Sequence, residues 1–219
     1  MSDDQTNSAS ATRLTRAEAK AERCQQLIEA TIESIGRFGL SGTTMGKVTG
    51  IAGVSVGLAI FHFASKDRLL EATLQHLAAE ERAMWYARHH VATTSLRDRL
   101  LAIVESRFHP AICARHKLAV WFAFYGDASA RPICRKTLGD TDDERLHATV
   151  ALFNEMIAEA GYTIDPLETA LSLEAMDDGL WLNMLLYPAE FRRATCRTRA
   201  LNVIAALFPR HFDTPPKAD

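Results

Sequence analysis

Apolar residues recur every three to four positions along almost the whole chain, and nowhere do they alternate over a useful length. In the stretch 16–38, Cys24, Leu27, Ile28, Thr31, Ile32, Ile35 and Phe38 mark one stripe of an amphipathic helix, and Gly39 ends it. Met45, Val48, Ile51 and Ala52 share a face of a short second helix, which Thr43 or Thr44 can cap and Gly53 can stop. Ser55 caps a third, 56–62, and Ser65 opens a long fourth through Leu69, Leu70, Thr73, Leu74, Leu77, Glu81 and Met84 to about position 90. Beyond a break at 93–95 the pattern predicts helices to Phe108, over about 111–115, and over 116–127. Arg131-Pro132 begins another to about 159, with a break near Gly139-Asp140 and a stop at Gly161. Asp165-Pro166 starts one to Tyr187, and a last covers about 189–207. The expected fold is all-α, with about nine or ten helices.

Two short helices meeting at a glycine corner form a helix-turn-helix, which lays its second helix in a DNA major groove. The amides that open this second helix suit a phosphate. Val54 plugs the corner. By spacing alone the stretch also fits a helical hairpin that touches no nucleic acid, so a helical small-molecule or metal-binding protein stays open as the alternative.

The residues Ala52-Gly53-Val54-Ser55, Gly57, Phe63 and Lys66 resemble the DNA-binding head of the TetR-type transcriptional repressors. In the second half, Ala119-Val120-Trp121-Phe122-Ala123-Phe124-Tyr125 and Asp177-Asp178-Gly179-Leu180-Trp181-Leu182 resemble the bodies of the BetI-like members. Residues 1–12 are small and polar with no period and are read as a disordered arm; the resemblance implies a three-helix DNA-binding head (13–68) and a ligand-binding and dimerisation body (69–208), followed by a tail (209–219). It implies a homodimeric repressor on a palindromic double-stranded DNA operator, released by a small-molecule inducer, with a choline-like cation as candidate. Dimerisation is expected through helices around 141–160 and 165–187.

Within the head, Thr43, Thr44, Lys47, His62 and Lys66 are expected to hold phosphates, while Ser55, Val56, Gly57, Leu58, Ile60 and Phe61 belong to the reading helix. Positions 56, 58, 59 and 60 are Val, Leu, Ala and Ile, which cannot read guanine bidentately. Base discrimination is therefore expected from thymine methyl contacts and DNA shape. Within the body, Trp121, Phe124 and Tyr125 lie within a turn of one another, as do Glu174, Asp178 and Trp181. Should these two helices face each other, carboxylates and aromatic faces would line a pocket for a small cation, although aromatics at this spacing also serve as core.

Composition narrows the picture. With 219 residues, 47% hydrophobic and 24% charged, the chain can bury a full core. The net charge is −2, split as +1 up to Arg68 and −3 beyond it, so DNA contact must come from local charge. Cys24, Cys113, Cys134 and Cys196 form no CxxC pair, and apolar runs fall far short of the roughly 18 residues a membrane span needs. A cytoplasmic location without a membrane association is expected. Neither HExxH nor a phosphate-binding loop is present, so the chain is not read as an enzyme and no cofactor is expected. His109, Cys113 and His116 have ligand-like spacing, but Pro110 and the helix boundary there count against a metal site.

Overall fold

The computed structural model describes residues 15–89 and 95–212. All regular elements among them are helical: α1 Arg16–Gly42, α2 Met45–Ala52, α3 Val56–Phe63, α4 Lys66–His89, α5 Leu96–Arg107, α6 Arg115–Gly126, α7 Arg131–Ala160, α8 Pro166–Leu186 and α9 Arg193–Leu207. A 3-10 turn, Pro209–His211, follows. The expected arm and the tail beyond residue 212 lie outside the described residues.

Helix starts obey the capping chemistry written in the sequence. Thr15 and Glu18 close a reciprocal capping box, and Thr44, Ser55, Ser95 and Asp165 each accept the backbone N–H three residues on. Each supplies a partner that the first turn of a helix lacks. Gly39 breaks α1 at φ 70°, Gly53 ends α2 at φ 66°, and Gly161 ends α7 at φ 67°, a region costly to residues with a Cβ.

Four predicted boundaries differ. α1 runs three residues past Gly39, through a kink there, to Gly42. Residues 110–113 form a turn instead of a helix, in which the His109 carbonyl accepts from both Ile112 and Cys113; Ala114 is extended, and Arg115 already belongs to α6. Gly139 does not interrupt α7, since one interior glycine costs only about 1 kcal/mol. The last helix starts four residues late, because the Tyr187 carbonyl takes the amides of Glu190 and Phe191 in a turn and Arg192 is extended.

The head consists of α1 to α3 and the start of α4, with Leu27, Ile35, Leu40, Val48, Ala52, Ala59 and Leu69 inside. Ala59 is small enough for α3 to sit closely on its neighbours. α4 is about 36 Å long and continues into the body, where it packs on α5 and α7. α1 packs along α6 as well as α2, so head and body share one continuous hydrophobic cluster. Trp85, Phe108, Phe124, Phe153, Trp181 and Phe208 are fully buried in the body. No single helix among the described residues is long and apolar enough to cross a membrane.

Candidate nucleic-acid interface and ligand pocket

The bend between α2 and α3 is 108°, within the range of a helix-turn-helix. Because Ala59 points inward, Val56, Gly57, Ile60 and Phe61 form the outer strip of α3. Val56 is 42% exposed, Ile60 50% and Phe61 75%. A contiguous uncharged strip of this kind marks a surface that meets something else. Thr44, Lys47 and Ser55 are exposed beside it, and Leu58 is half-buried. Lys47 lies over the Phe38 ring at 4.2 Å while donating to the Gly42 carbonyl.

Three residues expected at phosphates have partners within the chain. Thr43 is 1% exposed, donates to the Gly39 carbonyl (2.8 Å) and accepts from the Ser34 hydroxyl, so it joins the break in α1 to the head core. His62 turns its ring back to α1, with Nδ1 3.6 Å from Cys24 Sγ. Lys66 donates to the Leu40 carbonyl at 3.3 Å and lines a cleft with Asp67, Asp127 and Ser129, at the seam between head and body. The first residue of α4 points back toward the chain that precedes it, as helical side chains do.

In the body, α6 and α8 do face one another, and a cavity of about 110 Å³ lies beside them. Trp121, Tyr125, Glu174 and Asp178 line it, together with Glu81 from α4, Arg107 from α5 and Asp142 and Arg145 from α7. Arg107 donates to Glu81 and to Asp178 (2.6 Å). Arg145 donates to Glu81 (3.2 Å), Glu174 (3.1 Å) and Asp142 (3.2 Å). Burial pushes the Glu81 carboxyl up, but Arg107 and Arg145 outweigh it and hold it below the ordinary carboxylate range. Burial raises Asp142 against the pull of Arg145. Phe124 and Trp181, expected in the pocket, do not line it. Phe124 is core, and Trp181 lies against Arg107, 3.9 Å from guanidinium to ring, while its indole N–H donates to the Arg107 carbonyl. Trp181 holds the arginine that shapes the pocket.

His109 and Cys113 sit in the turn between α5 and α6 and His116 in the first turn of α6, so the three share no single helix. The Cys113 thiol donates to the His109 carbonyl, and burial pushes it up to about 11. Among the described residues no group of three or more His, Cys, Asp or Glu is arranged to hold a metal ion.

Residues 96–209 match the family model of the BetI-type transcriptional repressor, C-terminal, and residues 27–73 match that of bacterial regulatory proteins, tetR family. The chain belongs to the TetR family. Its curated relatives include the HTH-type transcriptional regulator BetI of Burkholderia thailandensis, 35% identical over 77% of this chain and 85% of that protein. BetI of Burkholderia mallei is 35% identical over 73% of this chain and 80% of its own length. A Pseudomonas aeruginosa PAO1 crystal structure, assigned to the transcriptional regulators, superposes with a TM-score of 0.74 at 28% identity, covering 92% and 96% of the two chains. One from Saccharomonospora viridis, solved in complex with choline, has the same fold at 21% identity, with a TM-score of 0.73 over 85% of this chain and 96% of that one.

This TetR-family protein is accordingly a DNA-binding transcriptional regulator, and the family comprises regulators rather than enzymes. The alternative of a helical protein without DNA contact falls with that match. Sequence reasoning missed Glu81, Arg107, Asp142 and Arg145 in the BetI-type body. A signal was present for two of them. Glu81 continues the stripe Leu70, Leu74, Leu77, and Arg107 continues Leu100, Ile103, Val104. Charged residues on the buried face of an amphipathic helix need partners, and here they find each other.

Proposed function

We propose that the protein is a homodimeric repressor on a palindromic operator, released by a small organic cation. The observation that carries this reading is the pocket beside α6, in which Glu81, Asp142, Glu174 and Asp178 outnumber Arg107 and Arg145, with Trp121 and Tyr125 on its wall. An acid excess beside aromatic faces favours a quaternary ammonium, and the choline held by the S. viridis neighbour supports the same ligand class. α6 also packs along α1 of the head, so a ligand that shifts α6 biases the separation of two heads in a dimer.

On the DNA side, Thr44, Lys47 and the Ser55-capped amides of α3 meet phosphates. Val56, Gly57, Ile60 and Phe61 meet base edges, chiefly thymine methyls. Labelled DNA flanking the protein's own gene, followed by fluorescence anisotropy, tests both halves. Choline or betaine aldehyde is expected to weaken binding about 5- to 150-fold, the range of a coupling of roughly 1–3 kcal/mol. Glycine betaine, which brings its own carboxylate, is expected to act less. Release by neutral or anionic compounds but by no cation contradicts this ligand class.

TetR-family regulators act as dimers. The surface that supports dimerisation here is on α8 and α9, where Leu167, Leu171, Leu182, Leu186 and Val203 are exposed. An open groove between the two helices adds Ile164, Leu173, Met176 and Leu207. This revises the expected pair of helices, because α7 turns Leu152, Phe153 and Met156 inward and leaves Ala151, Asn154, Glu155 and Glu159 outside. The double substitution Leu171→Glu, Leu182→Glu is expected to give a folded monomer in light scattering. A dimer unaffected by both charges moves the interface off α8.

A further inference from the structure

Five carboxylates converge on two guanidinium groups in the body: Glu81 from α4, Asp142 from α7, and Glu174, Asp177 and Asp178 from α8, around Arg107 from α5 and Arg145 from α7. Glu81 and Asp177 are buried, whereas the side chains of Asp142 and Asp178 are about half exposed, so solvent carries part of the excess negative charge but a charge on Asp177 would stand in the interior, where it is least tolerated. Four of the carboxylates have short arginine partners. Asp177 does not. Its Oδ2 is 3.8 Å from Arg107 Nε, and its Oδ1 is buried without a hydrogen-bond partner. It lines a second void of about 30 Å³ with Leu100, Ile103, Val104, Leu173 and Thr149, and this void shares Arg107, Arg145 and Glu174 with the aromatic pocket.

We infer that Asp177 holds a proton while the pocket is empty and releases it when a cation enters, so that this regulator exchanges one proton for one cationic inducer. The inference rests on the cationic ligand proposed above. Arg107 is the physical link, since its guanidinium is shared between Glu81 and Asp178 on the pocket side and Asp177 behind. A cation seated against Trp121 and Tyr125 takes over part of the charge of Asp178 and Glu81. The field of Arg107 then falls more fully on Asp177, whose O–H breaks and sends its proton to solvent. The charge of the cluster is the same before and after, so neither state leaves an additional charge in the interior.

Burial drives the Asp177 carboxyl up to about 7, with Arg107 and Arg145 opposing and Asp178 and Glu174 reinforcing. From the other packed elements, α4 brings Glu81, α6 brings Tyr125 to the pocket side, and α7 brings Asp142 and Arg145. Arg193 and Arg197 of α9 bond instead to the Phe108 carbonyl and Glu105. Since the folded chain holds this proton more tightly than the unfolded one, Asp177 weakens the fold as pH rises from about 4 to about 7. Inducer affinity runs the other way. It falls toward tenfold per pH unit below about pH 7 and is flat well above it.

Two measurements on the full-length protein decide the matter. Difference infrared spectra of the ligand-free protein against Asp177→Asn at about pH 6 are expected to show a protonated carboxyl C=O stretch in the wild type that the variant lacks. Its absence overturns the proposal without any ligand. Calorimetry with choline chloride at the same pH, in two buffers of different ionisation enthalpy, is expected to show proton release that disappears in Asp177→Asn while choline still binds. Choline binding with no buffer dependence overturns the exchange and leaves the cationic site standing. Failure of choline and tetramethylammonium to bind overturns both, even if the infrared band is present.

Discussion

Replacing Arg107 by methionine is expected to lower stability by roughly 3–5 kcal/mol, the cost of breaking a buried ion pair from one side. Arg107 is 5% exposed, so methionine can fill much of the space its stem occupies. What it cannot do is neutralise Glu81 and Asp178, which then stand with Asp177 and Glu174 around Arg145 alone. The substitution also removes the guanidinium that stacks on Trp181, a buried ring with nothing equivalent to cover it. Urea denaturation measures the effect, which corresponds to a melting temperature lower by roughly 10 °C in a chain of this size. The pH dependence carries a second check. Without Arg107 the remaining carboxylates bind protons more tightly in the folded than in the unfolded state, so the deficit relative to wild type grows with rising pH and shrinks toward about pH 5. A loss below about 1 kcal/mol, of the size seen for surface pairs, would mean that water reaches Glu81 as well and that its charge is not held by Arg107 in the interior.

Phe61→Asp is expected to reduce operator affinity by more than about 100-fold while leaving the fold within about 0.5 kcal/mol of wild type. Phe61 is 75% exposed and packs on little beyond the edge of the His62 ring, 5.2 Å between centroids, so stability scarcely depends on it. On the DNA-binding mode proposed above, its position on the outer strip with Val56, Gly57 and Ile60 sets it against the groove floor. A carboxylate there loses the apolar contact with thymine methyls and adds repulsion from the phosphates flanking the groove, each effect worth one to a few kcal/mol. Phe61→Ala removes only the first and is expected to cost about tenfold, mainly on sites that carry thymine at the contacted step. Anisotropy with specific and scrambled DNA separates the two effects. A thermal shift with choline is expected to be unchanged in both variants, because the ligand pocket lies in the body. Unaltered DNA affinity in Phe61→Asp would place the reading face elsewhere on the head.

The all-α fold and the helix-turn-helix were legible in the sequence because their causes are local. Periodicity set the stripes, and Thr44, Ser55, Ser95, Asp165, Gly53 and Gly161 mark their ends within a residue or two, while Gly39 kinks α1 three residues before its end. Four of the six expected pocket residues also line the cavity, since Trp121 and Tyr125, and likewise Glu174 and Asp178, share a helical face. The errors fall where a side chain had two directions to choose from. Thr43 and Thr44 are interchangeable as caps on paper, and Lys66 looks like any exposed lysine following a reading helix. Their roles depend on Ser34 and Leu40, nine and 26 residues away in the chain.

By itself the sequence determined the helices, their order and the helix-turn-helix corner, because 3.6-residue periodicity, caps and left-handed glycines act within a few residues of chain, and the family was legible separately, in the motif residues that resemble it. Only the tertiary structure decided which charges meet. Arg107 finds Glu81 26 residues away and Asp178 71 residues away, and Asp177 is left with an unpartnered oxygen beside them. Those relations come from how α4, α5, α7 and α8 cross, and the energy of a buried charge depends on the neighbours that such crossings bring within a few ångströms.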